Sequence, residues 1–335
     1  MKIDELGEIG LIERVVKKFR VDRQTVTVGA GEDDCAVIDI EKAKGRFKHL
    51  VITTDTVQES THFPNGISPF QMGWSSVAVN LSDIAAMGAH PSAFTIAMGI
   101  PTQTETSFLD ELVAGIEKCA VSYNTAVVGG DITRSKELIL TGTCFGFADK
   151  PVRRSGAKVG DLLCVTGSLG NAALALKLMR GELKAPRDVE AVAKKALFQP
   201  LPRITEGIII ANSGVVTAMI DISDGLALSL AEIAKRSNVG MEVYEDKVPV
   251  LSDEISSDLD LSKRELRELA YYYGGDYELL FTIDAGALEN AEVMKKLREE
   301  VKMSIIGKIV PQKEGTYFRE GEEKEKIDEK GYQHF

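Results

Sequence analysis

Cysteine is scarce in this 335-residue chain. The four present, Cys35, Cys119, Cys144 and Cys164, never stand at C-x-x-C spacing. That spacing excludes a zinc ribbon or a thioredoxin-like motif, and buried free thiols in a reducing compartment are the plain expectation. Histidine is scarce too. His49, His62, His90 and His334 all lie outside any G-x-S-x-G or cysteine-protease context, so a covalent nucleophile with its own base is not in view. No apolar run approaches the roughly 18 residues that would cross a membrane. Residues 1–10 are charged and carry no signal-peptide pattern, so the cytoplasm is the expected location. The familiar phosphate loops are missing. There is no G-x-x-x-x-G-K-S/T, no G-x-G-x-x-G after a strand, and no kinase H-R-D or D-F-G set. Basic charge is also short, with 40 Lys and Arg against 51 Asp and Glu and a net charge of −11. A nucleic-acid binder held by a broad basic face is therefore excluded. An anionic substrate stays compatible if metal ions or a few local cations offset the charge.

What is present reads as a folded protein of ordinary composition, 44% apolar and 27% charged. At roughly 150 residues per domain, two domains are expected. Apolar spacing predicts helices over 8–19, 69–88 (with Gly88 as the stop), 106–123, 171–179, 189–196 and 226–237. β-branched and apolar runs predict strands over 50–54 (ending at Asp55), 92–100, 126–128 (running into Gly129-Gly130-Asp131), 138–147, 162–166, 216–220 and 279–283. The alternation points to a mixed α/β layer structure. A polar, Gly-rich stretch over 149–161 marks the boundary, which divides the chain into 1–149 and 150–335. The charged tail, 319–330, is expected to be solvated.

The chemistry lies in aspartates that end apolar strands or flank glycine: Asp33, Asp34, Asp55, Asp83, Asp131, Asp221, Asp224 and Asp276. Each alone is as readily a turn or cap residue. Asp221 and Asp224, three apart, are placed to face one way at a helix start. If several converge, two like charges about 4 Å apart cost roughly 4 kcal/mol at an effective dielectric of about 20. Bound cations relieve that, and all-oxygen ligands suit Mg²⁺, a usual companion of nucleotide phosphates. The loop at 167–170, between a strand and a helix, is either an anion site at a helix N-terminus or a tight βα turn. Direct, metal-assisted phosphoryl transfer fits the residues best.

The order and spacing of further motifs carry a resemblance. They are DDCAV at 33–37, TTDT at 53–56, HF at 62–63, AVNLSDIAAMGAHP at 78–91, GGD at 129–131 and RRSGAKVGD at 153–161. VTGSLG at 165–170, DISDGL at 221–226, GGDYELLFT at 274–282 and GYQHF at 331–335 complete the set. With these the chain resembles the thiamine-monophosphate kinase family of the aminoimidazole ribonucleotide synthetase-like superfamily. The resemblance implies an α/β (α+β) two-domain fold, an N-terminal domain that dimerises through its sheet, and a C-terminal domain that closes over ATP. It implies an enzyme, a phosphotransferase with a phosphate acceptor, converting ATP and thiamine monophosphate to ADP and thiamine diphosphate. Carried over residue by residue, it implies metal ligands, several Mg²⁺ ions in all, at Asp34, Thr53, Thr54, Asp55, Asp83, Asp131, Asp221 and Asp224. ATP contacts fall at Tyr123, Gly130, Asp131, Arg154 and Ser223. Substrate contacts fall at His62, Asp276, Glu329 and Tyr332. Asp55, Asp131, Arg154 and Asp224 would act directly in transfer, with the substrate phosphate attacking unaided. No nucleic acid and no membrane is expected as partner.

Three departures stand out. One extra residue precedes Asp33-Asp34 in the family's G-x-G-D-D pattern. One residue is missing from G-G-E-D-Y-E-L, where Asp276 stands in. Glu329 occupies the place of a tryptophan that stacks on thiamine. The rival readings are a sister ATP-dependent enzyme of the same superfamily and a non-catalytic nucleotide-binding subunit. Sister enzymes with a reactive cysteine near the N-terminus or at the C-terminus fit less well, because neither cysteine is present here.

Overall fold

The computed structural model describes residues 7–20, 24–28, 37–45, 47–256, 259–289 and 291–332. By internal contacts the chain divides into one unit of residues 1–84 and 89–150 and a second of residues 85–88 and 151–335.

In the first unit the elements run α1 (Gly7–Val16), β1 (Val26–Val28), β2 (Val37–Ile38), α2 (Ile40–Lys44), β3 (His49–Gln58) and α3 (Glu59–His62). They continue α4 (Pro69–Ala86), β4 (His90–Ile100), α5 (Thr106–Ser122), β5 (Ala126–Arg134) and β6 (Ile139–Ala148). The last four strands named from β3 form a sheet in the order β3-β6-β4-β5, antiparallel except for the β4–β5 pair. One face of this sheet is dry. Phe94, Ile96 and Met98 of β4 and Leu140 and Cys144 of β6 are buried, as are Val77, Leu81 and Ile84 of α4. On α5, Leu109, Leu112, Val113, Ile116 and Ala120 are buried at the i, i+3, i+4 spacing that makes one helical stripe. The two helices cross closely at reciprocal glycines. A Cβ on Gly73 would lie 2.0 Å from the Leu112 carbonyl oxygen, and one on Gly115 would lie 1.9 Å from that of Phe70.

The opposite face of the sheet is largely open. Val26 and Ile38 pack over Ala93, Val128 and Phe145 at one end. Beyond that cover, Leu50 and Ile52 are 53% and 57% exposed. There Thr54 and Thr143 pair their hydroxyls at 2.5 Å, and Thr56 and Thr141 pair theirs at 2.9 Å.

The second unit holds β7 (Leu162–Thr166), α6 (Asn171–Met179), α7 (Arg187–Phe198), α8 (Ile204–Asn212), β8 (Val216–Ile222), α9 (Leu226–Ser237) and β9 (Val239–Tyr244). There follow α10 (Asp253–Ser256), α11 (Lys263–Tyr272), β10 (Glu278–Ile283), α12 (Ala291–Glu300), β11 (Met303–Pro311), β12 (Thr316–Glu320) and β13 (Glu323–Lys326). The sheet order is β13-β12-β9-β11-β7-β10-β8. β10 lies between β7 and β8 and is buried along its whole length, Glu278 and Thr282 included. Leu226, Leu230 and Ile233 of α9 join the core with Leu163, Val165, Ile220, Leu280 and Phe318.

The expected bounds of β7, α6 and α9 coincide with the structure. Other expectations need correction. Helix α1 stops at Val16 rather than Phe19. Strand β3 continues past Asp55 to Gln58, and β5 runs through Gly129-Gly130-Asp131 to Arg134 instead of ending at Val128. β8 likewise includes Asp221 and Ile222. The charged tail is not simply solvated. Its first part forms the β12–β13 hairpin, Arg319 donates to Glu242, and Ile327 is buried.

Candidate active site

Strand β3 and helix α4 assemble the first cluster. Alternation along β3 puts Thr53 and Asp55 on one face and Thr54 on the other. The Thr53 hydroxyl donates to the Asp83 carboxylate. The Asp55 amide donates to Asn80 Oδ1 at 3.1 Å. Thr53 and Asp55 are two residues apart on a strand, and Asn80 and Asp83 are three apart on a helix, so the two periodicities meet in register. Thr54 turns its hydroxyl to the open face, where it also donates to the Gly142 carbonyl at 2.7 Å. Its side chain therefore does not join Thr53 and Asp55.

Gly130 and Asp131 are exposed on β5. Gly130 is glycine for a packing reason: a Cβ there would lie 2.0 Å from the Ile96 carbonyl oxygen of the neighbouring strand. Tyr123 caps α5, its amide donating to Ala120 at 3.1 Å. His62 ends α3. Its Nδ1 accepts the Gln58 amide at 3.2 Å and lies 2.7 Å from the Thr61 hydroxyl, which places the proton of the neutral ring on Nε2. Asp34 lies outside the described residues, as do Asp33 and Cys35.

In the second unit, Asp221 is buried in β8 and its carbonyl accepts from Ser229 at 3.0 Å. Ser223 and Asp224 follow in the bend that leads to α9. Asp221 and Asp224 thus do not share a helix start, and Gly225, with φ of 104°, fills the cap position. The bend is braced from two sides. Gly275 donates to the Ser223 carbonyl at 2.8 Å, and Tyr332 donates to that of Asp224 at 3.1 Å. Arg154 is exposed, with its guanidinium 3.8 Å from Glu232. Glu329 is exposed and Tyr332 is 40% exposed.

The loop at 167–170 is not an empty anion site. Asp276 closes it: Gly170 donates to Asp276 Oδ2 at 2.7 Å and Ala172 to Oδ1 at 3.4 Å. The carboxylate proposed from sequence as a substrate contact is therefore committed to the N-terminus of α6, where peptide dipoles favour negative charge. Burial outweighs those donors and lifts Asp276 to about 7. Beside it lies a group that sequence reasoning missed. Glu278, buried, takes Arg203 Nε at 2.8 Å and Nη2 at 2.5 Å, and the Thr166 hydroxyl at 2.6 Å. Its partners lie 75 and 112 residues away in the chain, so no local motif announces it.

Among the described residues the thiols, Cys119, Cys144 and Cys164, are buried. Burial pushes Cys144 up to about 12 and raises Cys119 and Cys164 as well, which leaves no thiolate at neutral pH. The oxygen donors of Thr53, Asp55 and Asp83 suit a hard cation. Among the described residues no three His, Cys, Asp or Glu side chains come together as a metal site.

Residues 32–148 match the family model of the AIR synthase related protein N-terminal domain, and residues 158–319 match that of its C-terminal domain. The chain is 38% identical over 287 residues to the thiamine-monophosphate kinase of Methanospirillum hungatei, covering 84% of this chain and 91% of that one. The solved thiamine-monophosphate kinase of Stenotrophomonas maltophilia is similar at a TM-score of 0.78 and 33% identity, over 92% of this chain and 95% of its own. The structure described as AaThiL complexed with AMPPCP and TMP is similar at a TM-score of 0.73 and 28% identity, over 100% of this chain and 99% of its own.

Proposed function

This chain belongs to the thiamine-monophosphate kinase family of AIR synthase related proteins, and from that membership we infer that it transfers the γ-phosphoryl group of ATP to thiamine monophosphate. The products are ADP and thiamine diphosphate. The observation that carries the reading within the structure is the β3–α4 cluster. Thr53 and Asp55 share the strand face on which Thr53 meets Asp83, and all three bring oxygen donors. Such a site can hold hard cations that position and neutralise phosphates for direct transfer. Substrate phosphate is largely ionised near neutral pH and needs little help from a base.

Several Mg²⁺ ions would be held among Asp34, Thr53, Thr54, Asp55, Asp83, Asp131, Asp221 and Asp224, and would supply charge neutralisation to the phosphates. The chain's own residues do the rest. Arg154 offers a guanidinium to phosphate oxygens. Ser223, Gly130, Asp131 and Tyr123 meet ATP. His62 presents Nε2–H to the thiamine side, with Tyr332 and Glu329 as further substrate contacts. The open face of the four-stranded sheet, with Leu50 and Ile52 exposed beside paired threonines, supports a homodimer through that face. Free buried Cys119, Cys144 and Cys164 support residence in a reducing cytoplasm.

The test is product formation from ATP, Mg²⁺ and thiamine monophosphate, resolved by chromatography, with free thiamine in parallel. Diphosphate formed only from the monophosphate, and lost with EDTA, is the expected result. ATP binding without any diphosphate would sink the reading.

A further inference from the structure

We propose that Asn80 is a positioning residue for phosphoryl transfer: it fixes the β3 backbone at Asp55, so that Asp55 and Asp83 present their carboxylates in register. The proposal rests on the placement of Asp55 and Asp83 in the active site given above. Asn80 lies in α4 with no exposed surface. A buried amide must satisfy both ends, since an unmade bond there costs the full desolvation of that group. Asn80 Nδ2 donates to the Ser76 carbonyl at 3.0 Å, one turn earlier in the same helix. That bond points Oδ1 at the strand, where it accepts the Asp55 amide at 3.1 Å. Both donor and acceptor are used, so neither a leucine nor an aspartate reproduces the pair.

The sheet is shaped to admit this side chain. Gly142 is the register partner of Asp55 on β6. A Cβ at Gly142 would lie 2.5 Å from Asn80 Nδ2 and 2.5 Å from the Phe94 ring. The glycine thus leaves the space in which the amide sits. One turn along α4, Asp83 receives the Thr53 hydroxyl, so a single helix face grips the strand at two alternate residues. The bland alternative is a core asparagine that merely satisfies itself. It predicts a stability loss with no change in how the enzyme uses Mg²⁺. A residue that positions a ligand instead alters metal use, commonly by about 10- to 100-fold.

The experiment compares wild type with Asn80→Leu, Asn80→Asp and Gly142→Ala. Amide hydrogen exchange is resolved at Asp55 in the metal-free protein, and the Mg²⁺ dependence of thiamine diphosphate formation is measured alongside. Asn80→Leu removes the acceptor. It is expected to speed exchange at Asp55 and raise the Mg²⁺ requirement roughly tenfold or more, with KM for thiamine monophosphate unchanged. Gly142→Ala displaces the amide from the other side and is expected to do the same. Asn80→Asp keeps an acceptor for the Asp55 amide and should retain slow exchange there. Unchanged exchange at Asp55, or an unchanged Mg²⁺ requirement, in folded Asn80→Leu or Gly142→Ala would overturn the proposal. Failure of all three variants to fold would overturn it too, by making Asn80 a folding determinant. If wild type forms no thiamine diphosphate, the functional reading fails, while exchange at Asp55 still decides whether Asn80 holds the strand.

Discussion

Replacing Arg203 with Met would strip the guanidinium from Glu278 while keeping much of the side-chain volume. The Glu278 side chain is 4% exposed and that of Arg203 27%, so this ion pair is closed to water on the acidic side. Two bonds would be lost, at 2.8 and 2.5 Å, leaving the Thr166 hydroxyl at 2.6 Å on the carboxylate. A surface pair broken this way changes stability by about 0–1 kcal/mol. Breaking a buried pair by removing one partner costs about 3–5 kcal/mol, because a charge is left uncompensated. With Arg203 partly open and Thr166 still bonded, the low end applies, about 3 kcal/mol. For a unit of this size that is a fall in Tm of roughly 6–12 °C. The assay is urea denaturation of the purified chain without ATP or Mg²⁺, followed by circular dichroism. A second variant makes the argument sharper. Arg203→Met with Glu278→Gln removes the stranded charge but keeps an acceptor for Thr166, and should recover most of the loss. A single variant within about 1 kcal/mol of wild type would refute the reasoning. So would a double variant no more stable than the single one.

Asp276 gives a pH prediction. Burial raises it to about 7 from an ordinary 3.8, against the pull of the Gly170 and Ala172 amides. Between these values the folded chain holds a proton that the unfolded chain has released, so its contribution to stability is present below about pH 4 and lost as pH rises through about 7. Asp276→Asn should remove that part of the slope, read as urea midpoints at about pH 5 and about pH 7.5, and identical slopes in the two proteins would contradict it. Asp55→Asn keeps the shape of the side chain and loses its charge; turnover should disappear while the circular dichroism spectrum and oligomeric state stay as in wild type. Near-normal turnover would take Asp55 out of the metal set. Ile52→Lys puts a charge on the open sheet face through which the homodimer is proposed to form, and sedimentation velocity is expected to show a dimer for wild type and a monomer for the variant. A dimer surviving in the variant would place the interface elsewhere.

Much of the fold is legible because its elements are punctuated locally. β7, α6 and α9 end where glycine or polar turns interrupt a clean period, and their bounds follow from that. β5 and β8 are longer than their apolar runs. Gly129-Gly130-Asp131 and Asp221 look like strand ends, yet ladder partners on β4 and β10 carry the backbone onward. Tertiary pairing overrides local propensity there. The candidate site divides the same way. The aspartates announce themselves by type and context. What each one touches does not, since Asp276 meets α6 across 106 residues and Asn80 reaches Asp55 across 25. Asn80 reads as a polar interruption in an apolar helix until the strand beneath it is in place.

The hydroxyl pairs on the open face of the four-stranded sheet have one more consequence. Thr54 with Thr143 and Thr56 with Thr141 satisfy each other across the strands. A newly made chain meets water there with hydroxyls as well as with Leu50 and Ile52, so the bare sheet face is mixed rather than uniformly apolar. Drying the same face breaks fewer bonds to water, because each pair already makes one hydrogen bond and Thr54 has the Gly142 carbonyl as a further acceptor. Threonine thus keeps this surface wettable when bare and lowers the cost of covering it in the proposed dimer, a property that a hydropathy profile, which scores such a strand as neutral, does not register.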